Sequence, residues 1–137
     1  LSYPIFEKIS DVPAGVWKND KLIVEKFLPE RLANGEYRCR TYYFFGEQEF
    51  AAWMSSPKPV IKSSVATAVG LLEEIPPALT AIRKASGFNY GKFDYTEIDG
   101  EVHVYDMNKT PASSAKMLNL FSGKKLEEFA NEIHAFT

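Results

Sequence analysis

Only one cysteine, Cys39, occurs in the 137 residues. It has no partner for an internal disulfide, which points to a reducing, cytoplasmic setting. Basic residues are not in excess: 16 Lys and Arg stand against 18 Asp and Glu, for a net charge of −2 with no basic block. Nucleic acid is therefore a poor expected partner. No apolar run approaches the roughly 20 residues that cross a bilayer, and no secretory pattern is visible. The chain also lacks GxSxG, the Gly-x4-Gly-Lys-Ser/Thr loop and GxGxxG. Hydrolase, P-loop and dinucleotide-binding readings thus find no support. The two histidines, His103 and His134, have no His or Cys at ligand spacing, which argues against zinc.

What is present describes an ordinary globular domain, 45% hydrophobic and 25% charged, with a generous 14% of aromatics. The length suits one domain with its own core. Residues 1–20 are punctuated by Pro4, Pro13 and Gly15 and read as irregular. The run LIVEKFL at 22–28 reads as a strand ended by Pro29. YRCRTYYFF at 37–45 is rich in β-formers and turns at Gly46-Glu47 into an antiparallel strand at 49–54. Val60 and Ile61 start a short strand with Lys62 at its end, and 65–73 is too short to assign. Pro76 and Pro77 suit a first helical turn, with Leu79, Ile82 and Ala85 on one face and Gly87 as the cap. Strands follow at 92–97 and 101–107. Residues 112–123 read as a loop with a short helix. An amphipathic terminal helix spans 124–135, with Leu126, Phe129, Ala130 and Ile133 inward. The expected fold is α+β: an antiparallel sheet of about five strands packed by two or three helices. Cys39 is expected to be a small core residue rather than a nucleophile.

The most informative stretch is GFNYGKFDYTEIDGEVHVYDMNKTP at 87–111. Asp94, Asp106 and Asn108 lie near the ends of two neighbouring strands. Asp106 and Asn108 are two apart, so an extended backbone points both to one face. Oxygen ligands of this kind suit Mg²⁺, which takes one or two carboxylates and fills its shell with water and phosphate oxygens. The alternative is a solvated hairpin that carries carboxylates for solubility. A two-residue Asp99-Gly100 turn would set Asp94 across from Tyr105, on the opposite face from Asp106. A three-residue loop with Gly100 left-handed would set it across from Val104, on the same face. A shared metal requires one face, so the bulged three-residue turn is expected. His103 then faces away and packs towards a helix.

Three segments in order, LIVEKFLPE, YRCRTYYFFGE and GKFDYTEIDGEVHVYDMNKTP, resemble the C-terminal half of an ATP-grasp domain, the fold of a superfamily of ATP-dependent ligases. Together they run from about residue 22 to residue 111. The resemblance implies that Glu25, Lys26, Phe27 and Leu28 line the adenine slot, with Glu30 as an acceptor for ribose hydroxyls. It implies that Arg40 contacts the nucleotide or the intermediate, and that Lys62 stands near the phosphates. An arginine fork fits a phosphate geometrically, and equally a carboxylate on a neighbouring strand. Asp94, Asp106 and Asn108 would hold Mg²⁺ against the ATP phosphates, and the reaction would pass through an acyl phosphate attacked by an amine or another nucleophile. Many members carry Glu where Asp106 stands, and Ala112 replaces the usual glycine after the loop proline.

About 21 residues precede the first of these segments, too few for the lobe that carries phosphate-binding lysines and a glycine-rich lid. With Leu1 at the start rather than Met, the chain is expected to be part of a longer enzyme. It would bind nucleotide weakly, turn over nothing alone, and expose an apolar hinge side suited to a homodimer. A non-catalytic interaction domain of the same fold, or a kinase, are the competing readings. The carboxylate substrate and the acceptor are not legible.

Overall fold

A computed structural model describes residues 3–110, 119–120, 127–128 and 131. Its strands are β1 (Glu30–Arg31), β2 (Tyr37–Phe45), β3 (Gln48–Ser56), β4 (Ala68–Leu71), β5 (Tyr90–Ile98) and β6 (Glu101–Asn108). The helices are α1 (Ala14–Trp17) and α2 (Pro77–Ser86). The strands form one antiparallel sheet in the order β4-β3-β2-β5-β6, with β1 beside the start of β2. This is the expected α+β class. The expected terminal helix at 124–135, with Leu126, Phe129, Ala130 and Ile133, falls outside the described residues except at 127–128 and 131.

The sheet grows from its centre because six of the nine residues of β2 are aromatic or β-branched. Its alternation splits those residues between two faces. Tyr42 and Phe44 point to one face, where they meet Phe93 and Tyr95 of β5 and Leu79 of α2. All five are essentially buried. Val102 and Val104 of β6 pack against the same cluster. The opposite face carries Tyr43, stacked on Phe50 at 4.8 Å, together with Ala52, Met54, Val69, Leu71 and Leu120.

Helix α2 begins at Pro77 and ends where Gly87 turns left-handed at φ 69°, a conformation open to glycine. Arg83, buried, fixes the helix to the sheet. Its Nη1 donates to the Gly46 carbonyl at 2.8 Å, and its guanidinium lies over the Phe44 ring at 5.6 Å. Glu49 gathers the neighbouring donors, accepting from the Tyr42 and Thr80 hydroxyls.

Two expected strands do not form. Residues 22–28 are not part of any strand and are mostly exposed. They have the composition of a strand, but a strand needs a neighbour to take its backbone groups. Val60 and Ile61 are likewise irregular, and the sheet instead recruits β4 from the unassigned 65–73 segment. Gly70 of β4 accommodates Trp53: a Cβ there would fall 2.7 Å from the indole.

Candidate functional site

The β5–β6 hairpin closes with a two-residue turn, not the expected bulged loop. Ile98 pairs with Glu101, while Asp99 at φ 53° and Gly100 at φ 81° occupy the turn. Both central residues are left-handed, as a type I′ turn requires. Continued regularly, this register would leave Asp94 and Asp106 on opposite faces. A β-bulge higher in the ladder reverses that. Tyr95 pairs with Val104, but Asp94 pairs with Asp106, so Tyr105 is the extra residue on β6. One inserted residue shifts the pleat by half a period. Asp94 and Asp106 therefore stand directly across from each other. Asn108, opposite Lys92, follows on the same face.

That face is the one opposite α2. Thr41 pairs with Asp94 and donates its hydroxyl to Oδ1 at 2.8 Å, while Lys92 Nζ binds Oδ2 at 2.7 Å. Burial pulls the Lys92 ammonium pKa down, but the hydrogen bond and charge of Asp94 outweigh it and raise it above the ordinary value. Asp106 is exposed. Asn108 Oδ1 accepts from the Thr110 backbone N–H at 2.7 Å and from its hydroxyl at 3.2 Å. Gly91 permits this close approach, since a Cβ at its φ of 153° would sit 2.6 Å from the Asn108 carbonyl oxygen. Cys39 Sγ lies 2.9 Å from the Tyr105 hydroxyl. Burial pushes the thiol up to about 11, so it is a poor nucleophile at neutral pH. Burial also raises the Tyr105 phenol.

Arg40 is not brought to this face. It shares the α2 side with Tyr42, as its pairings with Trp53 and Tyr95 require. Its guanidinium grips Glu30 through Nε and Nη2, both at 2.8 Å, and Glu97 through Nη1 at 2.8 Å. The Glu30 hydrogen bonds raise its pKa above the ordinary value. The carboxylate alternative for this arginine is thus the one observed. Glu30, expected as a ribose acceptor, is held by Arg40 and also by Arg38 at 3.2 Å. Beside them lies the buried Tyr95 hydroxyl, with no hydrogen-bond partner within 3.5 Å among the described residues; burial raises its pKa and the nearby Arg40 partly offsets that.

The expected adenine slot is not a strand either: Glu25, Lys26 and Phe27 are exposed and Leu28 is half-buried. Lys62 is exposed in the β3–β4 connection, its ammonium 6.0 Å from the Tyr3 ring centroid. His103 pairs with Thr96 and so lies on the carboxylate face, not towards the helix. Its Nε2 is 4.0 Å from Glu101. The basic residue that does share a face with Asp94 is Lys92. Its spacing of two from Asp94 within one strand was the available signal.

Asp94, Asp106 and Asn108 offer only oxygen donors, which fits Mg²⁺. Among the described residues no group of three or more His, Cys, Asp or Glu is placed to hold a metal, so a cation here would depend on Asn108 and on oxygens from outside the chain. Comparison with protein families, curated proteins and solved structures finds no match for this chain. Among the described residues no helix is long and apolar enough to cross a membrane.

Proposed function

We propose that this chain is the nucleotide- and Mg²⁺-binding half of an ATP-dependent ligase that acts through an acyl phosphate. The observation that carries the reading is the bulge at Tyr105, which sets Asp94 across from Asp106 with Asn108 and Lys92 on the same face. Regular pairing would have scattered them. On that face Met54, Val69 and Leu71 pack against the buried Tyr43, Phe50 and Ala52, so the chain offers the nucleotide its polar groups there rather than an open apolar surface.

In this reading Asp94 and Asp106 supply carboxylate oxygens and Asn108 an amide oxygen to Mg²⁺. When bound there, the ion would supply charge neutralisation for the ATP phosphates. Lys92 exchanges its Asp94 partner for a phosphate oxygen, acting as a point charge on the same surface. Thr41 holds the Asp94 carboxylate in orientation. Arg40 has a structural role, and the reading does not require residues 25–28 or Lys62. An ATP-using kinase would present the same face. The second reading, a non-catalytic interaction domain of this fold, is favoured by one observation: Arg40 faces away and is already engaged by two carboxylates.

The test uses Mn²⁺ in place of Mg²⁺, with ATP, and follows paramagnetic broadening of backbone amide signals. The proposal expects broadening centred on residues 92–94 and 106–108 that requires ATP. Broadening centred elsewhere, or none at saturating Mn²⁺ and ATP, would refute it.

A further inference from the structure

The segment leading into β1 is a strand without a sheet. Leu22, Ile23, Val24 and Phe27 are 51%, 83%, 40% and 44% exposed. In an extended backbone Leu22, Val24, Lys26 and Leu28 share one side, an apolar row with a single positive charge.

The same molecule carries a matching acceptor. The sheet ends on β4 and β6. Edge β6 is protected in the usual ways, by the bulge at Tyr105 and by exposed Glu101 and Asp106. Edge β4 has none of these: Ala68–Leu71 contains no charge, no proline and no bulge. Leu72 donates its N–H to Ala51 of β3. By alternation, Leu71 and Val69 turn their backbone groups away from β3, where no further strand lies among the described residues. From the end of this edge a cleft of about 650 Å³ runs across the α2 side of the sheet; Leu71, Leu72, Glu73, Glu74 and Ile75 line it at the β4 end, and Arg40 and Glu97 line it further in. Arg40 and Glu97 are paired with each other, so the charges left to meet the single lysine of the apolar row are the exposed Glu73 and Glu74.

We infer that residues 21–28 of one copy add as a strand to edge β4 of a second copy, with Lys26 facing Glu73 and Glu74, and that the reciprocal contact closes a two-fold dimer. Strand addition supplies main-chain hydrogen bonds for the affinity and side-chain contacts for the choice of partner. The inference is independent of nucleotide binding.

Sedimentation equilibrium of the chain across a wide concentration range tests it. A monomer–dimer equilibrium is expected. Lys26→Glu alone and the pair Glu73→Lys, Glu74→Lys alone should each weaken dimerisation by about tenfold or more, as the loss of a charge contact at an interface does. An equimolar mixture of the two variants should regain the affinity, because each then presents the charge the other needs. Val24→Asp should abolish dimers and leave the circular dichroism unchanged, since the residue lies outside the sheet. A chain that stays monomeric throughout, a dimer indifferent to these changes, or a mixture that does not regain affinity would each overturn the inference.

Discussion

Arg40 and Cys39 are neighbours on β2 with opposite environments, and the pleat decides both. Arg40 turns to the α2 side, where its side chain is 15% exposed and ties Glu30 of β1 to Glu97 of β5. Arg40→Met would leave Glu30, largely buried, with only the weaker Arg38 contact and would remove the Glu97 partner. We expect a loss of about 2 kcal/mol in urea denaturation, below the scale for breaking a fully buried ion pair because Glu30 keeps Arg38 and Glu97 is partly solvated. Nucleotide binding by the remaining folded protein should not change. Cys39 turns to the other face against Tyr105. Its thiol ionises at 9.0 ordinarily and at about 11 in the fold. Between those values the folded state holds a proton that the unfolded state has lost, so stability falls as pH rises. Tyr105, also raised, acts with the same sign. A Cys39→Ala variant should show a shallower alkaline decline by thermal melting. Labelling of the native thiol with iodoacetamide should be slow at pH 8, where little thiolate exists.

At the scale of elements, the β5–β6 hairpin shows what could be read from the sequence. Asp99-Gly100 between two β-rich runs announced the turn, and the oxygen ligands announced a shared face. The device that makes the face shared was not legible. A turn dipeptide allows more than one loop, and hydrophobic alternation does not mark an inserted residue when that residue, Tyr105, is itself a good strand former. Arg40 escaped for a related reason. Its face relative to Asp94 depends on the β2–β5 register, which is set by tertiary packing of Tyr42 against Phe93. Where β5 lies between Phe44 of β2 and Asn108 of β6, Gly91 is the critical backbone position. Gly91→Ala places a Cβ 2.6 Å from the Asn108 carbonyl oxygen and 3.3 Å from the Phe44 ring. We expect a cost of about 2 kcal/mol from the clash and the left-handed φ. Two-dimensional NMR should show displaced amide signals at Lys92 and Asn108 while the Asp99-Gly100 turn stays in place.

Across the whole molecule, the central antiparallel sheet and α2 were legible because composition and local signals agree there. Residues 37–45 have no alternative to β structure, and the Pro-Pro start and glycine end of the helix bracket an amphipathic run. Residues 22–28 failed the same test because strand composition does not supply a strand partner. The exposed apolar row is the consequence of that mismatch, and among the described residues no further strand lies beyond β4. The carboxylate face and the Arg40 network divide the sheet into a candidate functional side and a structural side, with Thr41, Lys92 and Asp94 on the first and Arg40, Tyr95 and Glu97 on the second.

The most direct test of this division is isothermal titration of a non-hydrolysable ATP analogue into the chain, with and without Mg²⁺, alongside an Asp106→Ala, Asn108→Ala double variant. The account predicts weak, Mg²⁺-dependent binding that the double variant loses while its fold is retained. Binding that ignores both Mg²⁺ and the double substitution, or no binding by the folded chain at any attainable concentration, would contradict it.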